Sequence, residues 1–201
     1  QTYGTEYVNR RHGAIVDVAG GKGELSFEML NLTGAAECLV IDPRPPNLGL
    51  VRGKWEKGLY EPRRTGVFSR WYPACDEGCK DREPRSPRHL RCFFEGGRFV
   101  EFARASSREE MDVTNKAIRN EIERARNIVW TTKGLQHEDG ASYNEGDADS
   151  ATSSDPLDGG DKTCLSEVVN PDEAREILRR CHLVLGFHPD QAAGEIVDFA
   201  T

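Results

Sequence analysis

A short glycine-rich stretch carries the residues of this chain that are best suited to chemistry. It extends from Asp17 to Gly23 with the sequence DVAGGKG and lies between two apolar segments. Because glycine has no Cβ, the backbone at Gly20, Gly21 and Gly23 can approach a ligand that any side chain would block. We therefore predict a tight turn that holds a cofactor against its backbone.

A second carboxylate belongs to the same pattern. Asp42 follows the next apolar segment, about 20 residues beyond the last glycine. At the end of a strand, a carboxylate in this position can accept hydrogen bonds from both hydroxyls of a ribose. The spacing predicts a ligand that contains a nucleoside, and it does not by itself distinguish one such cofactor from another.

Hydrophobic periodicity predicts the elements that must position these residues. Residues 14–18 form a β-branched run, residues 24–32 have apolar side chains at helical spacing, and residues 37–41 form a second apolar run. Pro43 ends regular pairing after the second run. This part of the chain predicts a βαβ unit, with the glycine turn between the first strand and the helix.

In this context the glycine stretch resembles motif I of class I S-adenosylmethionine-dependent methyltransferases, where an acidic residue precedes a small residue and a Gly-x-Gly. The matching positions are Asp17, Ala19, Gly21 and Gly23. The resemblance implies that this turn, including Gly20, lies against the methionine and ribose part of S-adenosylmethionine. It also implies that Asp17 orients the ligand, directly or through water, and that Asp42 binds the ribose.

Other classes of protein share parts of this pattern. Dinucleotide binders have G-x-G-x-x-G, whereas Ser26 stands three residues beyond Gly23, which favours methyl transfer over an NAD(P)-dependent oxidoreductase. A P-loop needs serine or threonine after its lysine, and Lys22 is followed by glycine. A non-catalytic Rossmann-like interaction module, which binds a partner through the arginine-rich segment and with or without the cofactor, is a further alternative. Separately, the glycines could form only a tight turn and Asp42 only cap the next helix.

A second segment, residues 186–190 with the sequence GFHPD, follows an apolar run that predicts a buried strand. It resembles the Gly-Leu-His-Pro segment of eukaryotic methyltransferase-like proteins related to tRNA 2′-O-methyltransferases. The resemblance implies that His188 and Asp190 face the methyl acceptor, with His188 as a general base or hydrogen-bond partner. Alternatively, both residues shape a turn and cap the last helix. A further strand usually follows in that subgroup, so we expect the domain to be truncated at its C-terminus.

Residues from about 43 to 89 are rich in arginine, proline and isolated aromatic residues, which predicts an irregular insertion. Its basic residues, among them Arg63 and Arg64, are suited either to binding RNA or to forming a solvated surface. Zinc could be held by thiol and imidazole groups at Cys75, Cys79, His89 and Cys92. Their spacing matches no common zinc module, so these residues are weak candidates and we predict no metal.

Composition limits the remaining predictions. The chain has 201 residues, of which 37% are hydrophobic and 30% charged, with a formal net charge of -7. These values fit one domain over residues 1–201 with a flexible acidic linker at about 134–162, and they argue against a broad phosphate-binding surface. Six unevenly spaced cysteines favour reduced thiols, and no apolar run approaches the length that spans a bilayer. We expect an intracellular protein, cytoplasmic or nuclear, without membrane contact.

The order of elements completes the fold prediction. A long helix capped by Ser106 or Ser107, a helix capped by Asn170 and a strand over residues 181–187 follow the first unit. Residues 90–94 and 98–102 predict a hairpin, or a strand followed by a loop. We predict an α/β fold, a Rossmann-like doubly wound and mainly parallel sheet with helices on both faces. The methyl acceptor stays open among RNA, protein and small molecules, and the oligomeric state is not predicted.

Overall fold

The structure is a computed structural model that describes residues 13–33, 35–60, 81–128, 130–131, 134–135, 170–186 and 193–200. The strands are β1 (Ala14–Val18), β2 (Glu37–Ile41), β3 (Arg88–Leu90), β4 (Trp130–Thr131), β5 (Gly134–Leu135) and β6 (Cys181–Leu185). The helices are α1 (Glu24–Leu32), α2 (Gly49–Glu56), α3 (Gly96–Arg104), α4 (Arg108–Asn127), α5 (Pro171–Arg179) and α6 (Ala193–Ala200).

The central sheet is parallel, and in the described residues its strand order is β3-β2-β1-β6. On one side of β1, Asp17 lies opposite Val40 of β2. On the other side, Asp17 lies opposite Leu185 of β6. The predicted Rossmann-like α/β fold is confirmed, and the carboxyl ends of β1, β2 and β6 lie side by side.

Side chains of the sheet alternate between two layers of helices. Val16 and Ile41 face the larger layer, formed by α3, α4, α5 and α6, whose apolar core includes Phe99, Ile118 and Ile177. Ile15 and Cys38 point the opposite way and pack with Leu30 of α1. The helix α1 in turn packs on α2, through Phe27, Val51 and Trp55. Helices therefore cover both faces, as predicted.

The direction in which strands are added reverses at β1. From β1 the chain passes through α1, β2 and α2 to β3 on one side of the sheet. Helices α3, α4 and α5 then precede β6, which lies on the other side of β1. In open parallel sheets, ligands bind outside the carboxyl ends of the strands at such a switch point. The glycine stretch is the turn that follows β1 at this point.

Predictions for the irregular segments need correction. The interval 43–89 contains α2 and the start of β3, because Val51 and Trp55 bury at helical spacing against α1. Residues 98–102 belong to α3 and not to a strand or loop, since Phe99 and Phe102 are both buried in the core. Within the predicted linker at 134–162, Gly134–Leu135 pairs with β4. Residues 61–80 and 136–162 lie outside the described residues.

Two predicted helix starts are confirmed by their caps. The Ser107 hydroxyl accepts a hydrogen bond from the Glu110 N–H at 3.2 Å, and the Glu110 carboxylate accepts one from the Ser107 N–H at 3.1 Å. This is a capping box at the start of α4. The Asn170 side chain accepts from the Glu173 N–H at 3.0 Å, and Pro171 occupies the first turn of α5.

A buried arginine ties three helices of the larger layer together. Arg175 of α5 has a side chain only 3% exposed, and it donates to the Phe102 carbonyl at 2.9 Å and to Asn115 Oδ1 at 2.7 Å. Its guanidinium also lies 4.5 Å from the centroid of the Phe102 ring. An apolar side chain at this position would leave buried acceptors on α3 and α4 without a donor.

We expect Arg175→Met to lower the free energy of unfolding by about 3 kcal/mol, because it removes one member of a buried polar network. Urea unfolding followed by circular dichroism measures this quantity. Arg124→Met is the control, since Arg124 is 63% exposed and pairs with Glu121 at 3.5 Å. Its loss should cost less than about 1 kcal/mol. Equal costs for the two variants would contradict the structural role of Arg175.

Candidate functional site

The turn after β1 has a backbone that favours glycine. Gly21 and Gly23 have φ angles of 59° and 81°, in the left-handed region that residues with a Cβ rarely adopt. Ala19 also has a positive φ, 55°, and is therefore strained. The Gly23 N–H donates to the Gly20 carbonyl at 3.0 Å and closes the turn. The predicted tight turn between β1 and α1 is present.

The missing side chains of two glycines leave room for groups of the protein itself. A Cβ on Gly20 would lie 2.6 Å from Oδ2 of Asp17, so the buried carboxylate excludes any larger residue there. A Cβ on Gly21 would lie 3.4 Å from Nη2 of Arg44. Contacts within the protein therefore explain why glycine occupies these two positions. The sequence interpretation explains them by the approach of a ligand.

Asp17 is buried at the end of β1 and has one oxygen without a partner in the described part of the chain. Its Oδ2 accepts a hydrogen bond from the Ser26 hydroxyl of α1 at 2.7 Å, whereas Oδ1 accepts none. Burial disfavours the charged form and raises the pKa of Asp17 to about 6. The Ser26 hydrogen bond opposes this shift, and the nearby charge of Asp42 adds to it. Because Oδ1 is fully buried beneath Gly20, a ligand can reach it only if the turn moves.

Asp42 is buried at the end of β2 and points toward the glycine turn. Its Oδ2 accepts a hydrogen bond from the Gly21 N–H at 2.9 Å, and its Oδ1 accepts one from the Arg44 N–H at 2.8 Å. The Arg44 guanidinium adds two more, from Nε to Oδ1 and from Nη2 to Oδ2, both at 3.0 Å. The predicted ribose acceptor therefore faces the turn, and an arginine of the same chain occupies both of its oxygens.

The end of β3 holds the Asp42 peptide in place. The Asp42 N–H donates to the Leu90 carbonyl at 3.3 Å, and the His89 ring nitrogen Nε2 lies 3.0 Å from the Asp42 carbonyl oxygen. Burial lowers the pKa of His89, so the neutral ring donates to this carbonyl. Arg91 Nε donates to the next carbonyl, that of Pro43, at 3.0 Å. Three consecutive residues thus fix the loop that presents the Asp42 side chain.

The first turn of α1 opens at the same edge of the sheet. Gly23 is its N-cap residue and supplies no side-chain hydrogen bond to the first N–H groups of the helix. These groups carry a partial positive charge, which stabilises an anionic group such as a ligand carboxylate. The edge thus offers a carboxylate acceptor at each strand end and backbone donors between them.

The structure brings the predicted cofactor residues together and leaves other candidates apart. His188, Asp190, Cys75 and Cys79 lie outside the described residues. Cys92 packs in the core beside the larger helical layer, where burial raises its thiol pKa, whereas His89 contacts Asp42. Within the described ranges, no group of three His, Cys, Asp or Glu side chains could hold a metal ion.

Several arginines of the predicted insertion bind the protein itself. Arg85 donates to the Leu30 carbonyl in the last turn of α1 and to the carbonyls of Ala35 and Ala36, which follow the helix. Arg52 pairs with Glu83 at 3.1 Å, and Arg88 with Glu173 at 3.4 Å. Arg63 and Arg64 lie outside the described residues. For the arginines that are described, these contacts favour a structural role over an RNA-binding one.

Two side chains that shape the site, those of Ser26 and Arg44, are not among the predicted site residues. In the sequence, Ser26 is only a departure from the dinucleotide pattern, and Arg44 is only one charge in a basic segment. In the structure, Ser26 donates to Asp17 and Arg44 donates to Asp42. The signal for Arg44 is its position two residues beyond a carboxylate that ends a strand. Ser26 has no such local signal, because its contact with Asp17 depends on how the turn folds α1 back onto β1.

The geometry defines the class of protein to which this chain belongs. A parallel sheet with a glycine turn at its switch point and acidic residues at the carboxyl ends of its first two strands is a Rossmann-like α/β architecture. Comparison with models of protein families, with curated proteins and with solved structures found no match for this chain. In the part of the chain that the structure describes, no helix combines the length and apolar character needed to cross a bilayer.

We expect Asp17→Asn to change how stability depends on pH. The folded state raises the pKa of Asp17 from 3.8 to about 6, so its stabilising contribution is complete below pH 3.8 and is lost as the pH rises through about 6. The variant has no charge and keeps an acceptor for Ser26. We compare the free energy of unfolding of the variant with that of the wild type at each pH. This difference should favour the variant by up to roughly 3 kcal/mol more at about pH 8 than near pH 4. Urea unfolding at both pH values measures the difference.

The control for this experiment is Asp112→Asn, which removes an exposed carboxylate from α4. We expect its effect on the free energy of unfolding to be nearly the same at both pH values. If Asp17→Asn likewise showed no change between them, Asp17 would not be protonated in the folded protein near pH 5, and its buried charge would have to be stabilised otherwise.

A second variant tests the strain in the turn. Ala19→Gly should raise the free energy of unfolding by about 1 kcal/mol, because glycine adopts a positive φ without the cost that a Cβ imposes. The same substitution inside α4, Ala117→Gly, should lower it by about 1 kcal/mol. Thermal unfolding of both variants supplies the comparison. A loss of stability in Ala19→Gly would show that Ala19 is not strained.

Proposed function

We propose that this chain is the cofactor-binding core of an S-adenosylmethionine-dependent methyltransferase. The observation that carries the proposal is the pair of buried carboxylates, Asp17 and Asp42, on either side of a positive-φ glycine turn at the switch point of a parallel sheet. Such a site offers acceptors for the hydroxyls and the ammonium group of the ligand, and backbone donors for its carboxylate.

The residues present fit this cofactor group by group. The positive-φ residues Gly21 and Gly23 shape the turn that would lie against the methionine and ribose moiety, and the uncapped start of α1 is suited to the methionine carboxylate. Asp17 is suited to its ammonium group, directly or through water, provided that the turn moves enough to expose the buried Oδ1. Asp42 is suited to the ribose hydroxyls, provided that the Arg44 guanidinium leaves the carboxylate.

When bound, the cofactor supplies an electrophilic methyl group on a sulfonium centre, and the protein needs to add little covalent chemistry. The chain's own residues bind the nucleoside, orient the methionine and exclude water, which aligns the donor with its nucleophile. The acceptor would lie beyond the carboxyl end of β6, where His188 and Asp190 follow in the sequence. RNA, a protein and a small molecule are all acceptors that the proposal allows.

One observation favours a second candidate, a non-catalytic Rossmann-like module. Each oxygen of Asp42 already accepts two hydrogen bonds from this chain, so the carboxylate needs no ligand to be satisfied. In that case Asp42 and the glycines would only stabilise the turn. This candidate and the methyltransferase make opposite predictions for cofactor binding.

Isothermal titration with S-adenosylhomocysteine tests the proposal. We expect a binding heat with the wild-type protein. Asp42→Asn should weaken binding at least about tenfold, because the ribose hydroxyls lose a charged acceptor. Asp112→Asn, which changes an exposed carboxylate on α4 far along the chain from the turn, should bind as the wild type does.

Other results would assign the protein to another class. No heat at millimolar S-adenosylhomocysteine would contradict the methyltransferase proposal and favour the non-catalytic module. Thermal stabilisation by NAD or NADP, without stabilisation by S-adenosylhomocysteine, would indicate an oxidoreductase, because a ligand stabilises only the fold that binds it.

A further inference from the structure

The Asp42 carboxylate has two kinds of hydrogen-bond donor. The N–H groups of Gly21 and Arg44 belong to the backbone and give each oxygen one fixed bond, at 2.9 and 2.8 Å. The Arg44 guanidinium gives each oxygen one further bond, at 3.0 Å, from a side chain. If the guanidinium rotated away, Asp42 would keep its fixed bonds and expose one free acceptor site on each oxygen.

Arg44 can leave this position more easily than its carboxylate partner. Its side chain is 52% exposed, whereas that of Asp42 is 1% exposed. Within the described residues, the hydrogen bonds of the Arg44 side chain all go to Asp42, while Arg85 is held by carbonyls of three residues and Arg91 by those of two. A released Arg44 would be hydrated, so only the contact with Asp42 opposes its release.

The bound guanidinium occupies the position that the proposed ligand needs. Nε and Nη2 present two neighbouring donors to the two oxygens of one carboxylate, which is also how the adjacent hydroxyls of a ribose would bind. Nη2 further lies 3.4 Å from the position of a Cβ on Gly21, so the guanidinium lies beside the turn, at the edge where the hydroxyls would bind. One carboxylate cannot serve both groups at the same time.

We propose that Arg44 is an intramolecular competitor of the ligand: its guanidinium closes the ribose-binding edge of Asp42, and a nucleoside with two adjacent hydroxyls binds only by displacing it. This inference rests on the proposed cofactor site and adds a residue that sets its affinity. A ligand without the two hydroxyls has no group with which to displace Arg44 from Asp42. Arg44 therefore determines how strongly the site discriminates by the ribose.

The experiment measures dissociation constants by isothermal titration, with wild-type protein and Arg44→Ala. The probes are S-adenosylhomocysteine and its 2′,3′-dideoxy analogue, which lacks both hydroxyls. Arg44→Ala should bind S-adenosylhomocysteine about fivefold more tightly than the wild type, because no ion pair has to be broken. The affinity for the dideoxy analogue should change less than about twofold, since this ligand makes no bond to Asp42.

Two further variants control for folding and for general loss of positive charge. Arg44→Gln can keep one of the two side-chain hydrogen bonds, so it should give an affinity between those of wild type and Arg44→Ala. Arg180→Ala removes an arginine that is 48% exposed and pairs with Glu37 at 3.1 Å, at the opposite end of β2. It should leave both dissociation constants unchanged.

The outcomes separate this inference from the proposed function. Binding of S-adenosylhomocysteine that is equal in wild type and Arg44→Ala, or weaker in Arg44→Ala, would overturn the competitor role and leave the cofactor site standing. Binding only by Arg44→Ala would support both. No binding by either protein would overturn the cofactor proposal and this inference with it. Tighter binding of NADP by wild type than by Arg44→Ala would assign Arg44 to a ribose phosphate and overturn its role as a competitor.

Discussion

The structure of the site depends on the burial of two carboxylates at the ends of neighbouring strands. Removing a carboxylate from water is costly unless it is protonated, paired or hydrogen-bonded. The chain uses a different solution for each one. Asp17 has a pKa raised to about 6 and a single hydroxyl partner, whereas Asp42 accepts two backbone N–H groups and a guanidinium. The glycine turn lies between them because it supplies one of those N–H groups and the space above Asp17.

The support for Asp42 extends well beyond the βαβ unit that contains the motif. The ring of His89 reaches the Asp42 carbonyl across 47 positions in sequence, and β3 places it there by pairing with β2. The segments before β3 are anchored to the other helices, for example by the hydrogen bond from the Trp55 indole to the Arg82 carbonyl at 2.9 Å. Residues that look like an insertion in the sequence therefore hold in place the loop that presents Asp42.

When a side chain of the protein occupies a binding site, the affinity of a ligand depends also on the cost of displacing that side chain. The free energy of association is the gain from ligand contacts minus the contacts that the ligand displaces. At Asp42, the contact that the proposed ligand would displace joins a half-exposed guanidinium to a buried carboxylate. Breaking it should cost less than breaking an ion pair whose two members are both buried. The guanidinium thus stabilises the protein against an unpaired buried charge, and the proposed ligand would have to replace its two hydrogen bonds.

The sequence by itself determined the elements whose signals are local. The βαβ unit, the caps at Ser107 and Asn170 and the tight turn follow from periodicity, capping chemistry and glycine, all of which act within a few residues. The segment containing Phe99 and Phe102 could not be assigned to a helix on these criteria. Two aromatic residues three positions apart favour a helix only when the core of the protein covers that face of it. Tertiary packing decided that case.

Only the tertiary structure decided which polar groups meet. It brought Arg44 and His89 to Asp42, joined Ser26 to Asp17 and packed Cys92 into the apolar core away from any such cluster. It also set β6 beside β1, which creates the switch point at the glycine turn. The physical reason is that such contacts depend on the alternation of side chains across a sheet and on the packing of its two helical layers. Neither is expressed in the neighbouring sequence.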